Sequence, residues 1–317
     1  MRVLLAMDGS ATADTARDLV ASLSWPDATV IRVVAVVESM SAVSAGLAPY
    51  TAAELDERPI TADLEARLAE AARGLDAPGR IVETIVLHGR PASVIVEQAN
   101  ELRADLIVVG SRGLGRLRSM LLGSVSAEVV DHAPCPVLVA RASSIGPVLV
   151  AVDGSDSARR AVEHLADARY LAGHRIHILS VGTEAHAGVP YWAMNVAADD
   201  RAPVYRDIAT EDRRQTEAHA AHAAEELDRD GFDVHWTVSS GDPAHEIIEA
   251  AETFDCDLIV MGSRGLTGID RLLLGSVARN VLLHSPASVL IVREPVRERQ
   301  PETRRGSVAR PTFAPVV

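Results

Sequence analysis

The sequence predicts an α/β fold made of two tandem open five-stranded parallel sheets flanked by helices. Three observations predict it. Short apolar runs alternate with longer amphipathic stretches, which is the pattern of βαβ units. A domain-length block occurs twice in the same order within the 317 residues. The composition, 48% apolar but only 3% aromatic and rich in Ala, Val and Leu, suits helices packed on a buried parallel sheet better than a β-sandwich.

The elements of the first copy follow in order. Val3-Leu4-Leu5-Ala6-Met7 marks a buried strand near 2–7, and an amphipathic stretch near 11–23 reads as a helix. A second apolar run gives a strand near 30–37. The segment Ser39–Pro59 contains Gly, Pro and an aromatic residue and reads as a long loop, a class that is usually functional or mobile. A helix near 61–75, a strand near 81–87 and a helix near 92–102 come next, the last opened by Gly89-Arg90-Pro91-Ala92. The most apolar strand, near 105–109, runs into a glycine-rich loop. Gly123-Ser124 opens a helix near 124–132, and Ala133-Pro134-Cys135-Pro136 turns the chain into a last strand near 136–140.

The second copy repeats these signals. Val3–Ser10 recurs as Val148–Ser155, and Ala104–Leu114 recurs as Cys256–Leu266. Leu121-Leu122-Gly123-Ser124-Val125 recurs as Leu273-Leu274-Gly275-Ser276-Val277. Strands are predicted near 147–152, 175–181, 234–239, 257–261 and 288–292. Domains are accordingly placed at 1–141 and 147–293, joined by a short Ser- and Ala-rich linker that keeps them close. Thr183–Pro203 is the counterpart of the first long loop. Residues 295–317, rich in Arg, Glu and Pro without apolar period, read as a disordered tail.

Charge and composition exclude several functions. A net charge of −13 argues against nucleic-acid binding. The two cysteines make no disulfide framework, no signal peptide opens the chain, and no apolar run approaches a membrane span, so a soluble cytoplasmic protein is expected. All 31 residues counted as Lys or Arg are arginine. The absence of lysine rules out a Walker phosphate loop, a protein-kinase site and Schiff-base chemistry. Phosphate would have to be held by backbone N–H groups, helix N-termini, arginine or a metal ion.

Gly110-x-x-Gly113, nine residues, then Gly123-Ser124 form one motif; Gly262-x-x-Gly265, nine residues, then Gly275-Ser276 form the other. Glycines after a strand allow positive φ and close approach of a ligand to the main chain. The helix that Gly-Ser opens offers free N–H groups and its positive dipole end to phosphate, with a serine hydroxyl beside them. One Gly-x-x-Gly is more often a turn, and one Ser at a helix start is more often an N-cap. The same spacing twice, with Arg112/Arg264 and Leu114/Leu266 also matching, favours a phosphate loop. The first strand ends in Met7-Asp8-Gly9-Ser10, without the Gly-x-Gly-x-x-Gly of a dinucleotide fold.

The Asp after the first strand, the fourth strand feeding Gly-x-x-Gly-x(9)-Gly-Ser, and the last strand after an Ala-Pro-Cys-Pro turn resemble the universal stress protein family. The resemblance covers nearly the whole chain. It implies an open Rossmann-like sheet of the adenine nucleotide alpha hydrolase type, binding ATP, with or without Mg²⁺, at its carboxyl edge. It implies that Asp8 and Asp153 sit beside the nucleotide, and that Val36 and Val181 offer backbone groups to adenine. Gly110, Arg112 and Gly113, with Gly262, Arg264 and Gly265, would approach ribose and phosphates. Gly123, Ser124 and Val125, with Gly275, Ser276 and Val277, would hold the phosphate chain. It also implies that the two copies pair through their last strands; a homodimer is a further expectation.

The first loop holds Arg112, Arg116 and Arg118 and the second Arg264, Asp270 and Arg271, which points to tighter triphosphate binding in the first domain. Cys135 and Cys256 read as small buried residues. His219 and His222 have metal-ligand spacing but no companions, and read as a solvated helix face. Tyr191 and Trp192 could cover adenine or fill an interface. Three function classes remain: an ATP-binding sensor or regulator with slow hydrolysis at most, an ATP-consuming phosphotransfer or adenylating enzyme, and a structural or protein-partner module in which the glycines are passive turns. The second needs a positioned base and charge clamps.

Overall fold

The most apolar runs become central strands because nearly every residue in them is covered on both sheet faces, while the outermost strands of the sheet keep one face largely exposed. The computed structural model describes residues 1–38, 58–113, 122–182, 202–265 and 274–293. Within these, the first copy contains β1 (Arg2–Ala6), α1 (Ala11–Ser22), β2 (Thr29–Val37), α2 (Arg58–Leu75), β3 (Arg80–His88), α3 (Pro91–Leu102), β4 (Leu106–Gly110), α4 (Ser124–His132) and β5 (Val137–Ala140). The second contains β6 (Val148–Val152), α5 (Asp156–Asp167), β7 (Arg175–Gly182), α6 (Ala202–Arg229), β8 (Asp233–Ser240), α7 (Pro243–Thr253), β9 (Leu258–Gly262), α8 (Ser276–His284) and β10 (Ser288–Val292). The helix predicted near 61–75 begins a turn earlier, at Arg58. The tail from 295 and most of both long loops lie outside the described residues, as do Tyr191 and Trp192.

The strand order is β3-β2-β1-β4-β5-β10-β9-β6-β7-β8. Each half is parallel throughout. The halves meet where β5 and β10 pair antiparallel, with Leu138 opposite Leu290, so the two five-stranded sheets continue into one ten-stranded sheet. Two apolar cores result, one on each face, and both run through the two copies. One packs α1, α2, α5 and α6 against the sheet through residues such as Leu19, Leu75, Leu165 and Leu227. The other packs α3, α4, α7 and α8 through Ile95, Val129, Ile247 and Val281.

The linker is held rather than loose. The Arg141 and Ala142 N–H groups donate to Ser288 Oγ at 3.0 and 3.3 Å, and the Gly146 N–H donates to Asp257 Oδ2 at 2.9 Å. Across the seam Arg279 of α8 binds Asp131 of α4 at 2.9 Å, and Trp25 stacks on Tyr170 with ring centroids 4.9 Å apart.

Candidate functional site

In each half the strand order reverses at the first strand: β1 leads to β2 on one side and has β4 on the other. Chain connections diverge there and leave a crevice beyond the carboxyl ends, where open α/β sheets bind ligands. Asp8 follows β1 and the glycine loop follows β4, so both flank this crevice. Asp153 after β6 and the loop after β9 do the same in the second half.

The turn after β1 divides its work between two side chains. Ser10 caps α1, its Oγ accepting from the Ala13 N–H at 3.2 Å. Asp8 therefore is not the cap; its Oδ1 accepts from the Ser10 N–H at 3.0 Å, and Gly9 between them has φ +78°. The second copy repeats this, with Ser155 N–H to Asp153 Oδ1 at 3.0 Å, Ala158 N–H to Ser155 Oγ at 3.1 Å, and Gly154 at φ +76°. The other carboxylate oxygen faces the loop. A Cβ on Gly113 would lie 2.5 Å from Asp8 Oδ2, and one on Gly265 2.7 Å from Asp153 Oδ2.

The glycines of the motif are required for a reason the sequence did not show. Among the described residues none of the six adopts positive φ. They are small because protein packs against them. A Cβ on Gly110 would stand 2.7 Å from Thr12 O and 3.0 Å from Ala13 N, so the first turn of α1 lies directly on the end of β4. Gly262 meets Ser157 C and O at 2.6 Å in the same way. A Cβ on Gly123 would lie 3.3 Å from the Cα of Arg112, and one on Gly275 3.3 Å from the Cα of Arg264. The loop is further tied by Thr12 Oγ1 donating to Arg112 O, by Ser126 Oγ donating to Gly110 O at 2.7 Å, and in the second copy by the Arg264 N–H donating to Ser157 Oγ at 3.2 Å.

Ser124 and Ser276 are not N-caps. Gly123 and Gly275 hold that position, in extended backbone, and no side-chain cap bond is formed by either. A glycine there leaves the first N–H groups of α4 and α8 facing outward, where α1, α5 and α7 use Ser10, Ser155 and Asp242. Ser124 and Val125 are exposed, and so is Ser276. Gly123 N–H donates to Ser111 O at 2.7 Å and Gly275 N–H to Ser263 O at 2.8 Å, which brings loop and helix start together.

Val36 and Val181 are half-buried near the ends of β2 and β7. Val34 O accepts from the Met7 N–H at 2.9 Å, and β1 turns away after that. Two residues on, the backbone of Val36 points to the same side, past the end of β1. Its N–H and C=O are thus turned toward the crevice, as Val181 is in the second half. Arg112 is exposed and Arg264 half-buried; Arg116, Arg118, Asp270 and Arg271 lie outside the described residues.

The profile of the universal stress protein family matches residues 1–141 and 145–293. The chain belongs to the universal stress protein family. A universal stress protein of Mycolicibacterium smegmatis is 30% identical over 310 residues, 92% of this chain and 96% of the relative. One from Methanocaldococcus jannaschii is 32% identical over 152 residues, 48% of this chain and 84% of its own length. Among solved structures, a universal stress protein of Archaeoglobus fulgidus aligns over 92% of this chain and 98% of its own, with TM-score 0.63 and 24% identity, and so shows the fold.

Other sequence signals resolve differently. Cys135 and Cys256 are buried, and burial pushes each thiol up to about 12. His222 is exposed on α6, but His219 is not simply solvated: its ring lies against Gly154, with Cε1 2.5 Å from where a Cβ would be. In the first copy Arg67 lies over Gly9 in the same manner. Reading the sequence passed over Arg67; aligning the helices that precede β3 and β8 would have found it opposite His219. Among the described residues, the group that brings three ligand atoms within 4.8 Å is His245, Glu246 and Glu249 on the first turns of α7. No helix among the described residues is long and apolar enough to cross a membrane.

Proposed function

We propose that this universal stress protein binds ATP, one molecule in each half, and acts in the cytoplasm as a nucleotide-dependent sensor or regulator of the stress response. The observation that carries this reading is the convergence, twice, of a glycine-capped helix N-terminus, a glycine loop, a carboxylate and an unpaired strand end at one crevice. Each group suits one part of ATP. The uncapped N–H groups of α4 and α8, with Ser124 and Ser276, take the phosphate chain. Loop residues Gly110, Gly113, Gly262 and Gly265 present main chain to ribose and phosphates, with Arg112 and Arg264 adding charge. The backbone edge at Val36 and Val181 takes adenine, and Asp8 and Asp153 lie beside the ribose.

A Mg²⁺ accompanying the nucleotide would neutralise phosphate charge and draw its protein carboxylate from Asp8 or Asp153. The chain has no lysine, and each motif brings one carboxylate to its crevice, Asp8 or Asp153. That set binds a triphosphate without the base and charge clamps that rapid transfer needs, so the reading is of retention rather than consumption. The test is to denature the purified protein and separate the released nucleotides by anion exchange. Adenine nucleotide with ATP predominant is expected. Failure to retain nucleotide or to bind added ATP would overturn the proposal, and multiple-turnover release of ADP or pyrophosphate would replace it with the enzyme reading.

A further inference from the structure

We propose that Arg67 and His219, at one equivalent position of the two copies, are ligand-facing residues that give the two nucleotide sites different groups with which to grip phosphate. This rests on the ATP-binding reading above. The equivalence follows from register: Arg67 precedes the fully buried Leu75 by the same eight-residue step by which His219 precedes the fully buried Leu227. Each side chain reaches from the helix before the third strand of its copy to the turn after the first strand. Arg67 Cδ lies 3.3 Å and Nε 3.5 Å from where a Cβ on Gly9 would be; the His219 ring stands closer still to the same point on Gly154. Both glycines adopt positive φ and are flanked by Asp8 or Asp153, whose outer oxygens face the phosphate loop. A side chain laid on this turn borders the crevice.

The surroundings differ in charge as well. Arg67 Nε donates to Asp63 Oδ2 at 2.8 Å, with both side chains more than half exposed. An exposed pair of this kind is weakly held, so the guanidinium can turn to a phosphate at little cost and grip it with a forked pair of donors. In the second copy the residue four before His219 is Gln215, bound instead to Glu211 at 2.9 Å. The first site therefore carries a permanent, fork-shaped cation over its Asp-Gly turn. The second carries an imidazole, which offers two ring nitrogens and no such fork of donors. The first site selects for polyphosphate charge, and the second tolerates ligands with fewer phosphates.

The experiment measures ATP and adenosine binding at pH 8 to the full chain with one loop blocked, Gly265→Val to isolate the first site and Gly113→Val to isolate the second. Arg67→Ala weakens ATP at the first site by roughly tenfold, the scale of one charge-assisted hydrogen bond, and leaves adenosine within twofold. His219→Arg tightens ATP at the second site by a similar factor. If a blocked chain fails to fold, the unblocked chain serves: Arg67→Ala must then weaken one of two ATP binding steps and spare the other. Equal losses for ATP and adenosine, or no change from either substitution while ATP still binds, would overturn the inference and leave the ATP reading intact. Absence of any nucleotide binding in the unsubstituted chain would overturn both.

Discussion

Two glycines three residues apart, Gly110 and Gly113, should respond to alanine in opposite ways. At Gly110 the new Cβ would stand 2.7 Å from Thr12 O, 2.8 Å from Thr12 C and 3.0 Å from Ala13 N, all backbone of the first turn of α1. Relief requires α1 to lift by roughly half an ångström or more, and this helix buries Ala13, Ala16, Leu19 and Val20 against the sheet. Overpacking of this kind costs about 1–3 kcal/mol. At Gly113 the new Cβ meets, among the described residues, Asp8 Oδ2 at 2.5 Å and nothing else closer than Asp8 Cγ at 3.7 Å. A side-chain carboxylate can rotate away, so the fold should lose less than about 1 kcal/mol. The rotation, however, breaks the grip of Asp8 on the Ser10 N–H and moves a charge into the nucleotide crevice. Thermal and urea unfolding of both variants, beside ATP titration, test this. Gly110→Ala should lower the unfolding midpoint clearly. Gly113→Ala should leave it nearly unchanged and weaken the first ATP site about tenfold or more, which is about 1.4 kcal/mol. The reverse pattern, a Gly113→Ala chain that unfolds early but binds normally, would refute the assignment of the two glycines.

Further outcomes follow from the seam and from two half-buried histidines. Asp131 is 17% exposed beside Arg279 across the junction of the halves, so Arg279→Met should destabilise the chain by about 1–3 kcal/mol in urea, and adding Asp131→Asn should recover part of that loss. Burial lowers the affinity of His164 for a proton, with Asp167 and Asp105 opposing, while its Nε2 lies 3.0 Å from the Tyr170 hydroxyl. Burial followed by His235 and Arg175 lowers that of His177. Unfolded histidine binds protons that these folded ones refuse, so stability should be full at pH 7.5 and fall as pH drops below about 6.5. The slope is at most about 1.4 kcal/mol per pH unit for each group, and His164→Gln should flatten it; an unchanged slope between pH 7.5 and 5 would contradict that assignment.

The fold was largely legible because its central strands are apolar on both faces and recur in duplicate. A residue such as Leu4 or Leu149, enclosed completely, leaves the same mark in the sequence whichever sheet face it serves. The joining of the two sheets through β5 and β10 was available only from family resemblance, since Val137–Ala140 reads like any buried strand. Glycines were easier to locate than to explain. The positive φ expected of Gly110 and Gly113 belongs to Gly9 and Gly154, which the motif does not include, while Gly110 answers to a helix a hundred residues earlier. His219 was misread for a similar reason: helical spacing shows which residues share a face, but not that this face turns toward the Asp-Gly turn of β6. Long-range approach of backbone to side chain leaves little local trace in composition or period.

The most direct test of the central claim is the stoichiometry of ATP binding to nucleotide-free protein by isothermal titration. Two ATP per chain are predicted, falling to one in Gly113→Val, one in Gly265→Val and none when both are combined. Two ATP bound by the double variant, or none bound by the unsubstituted chain, would contradict the account.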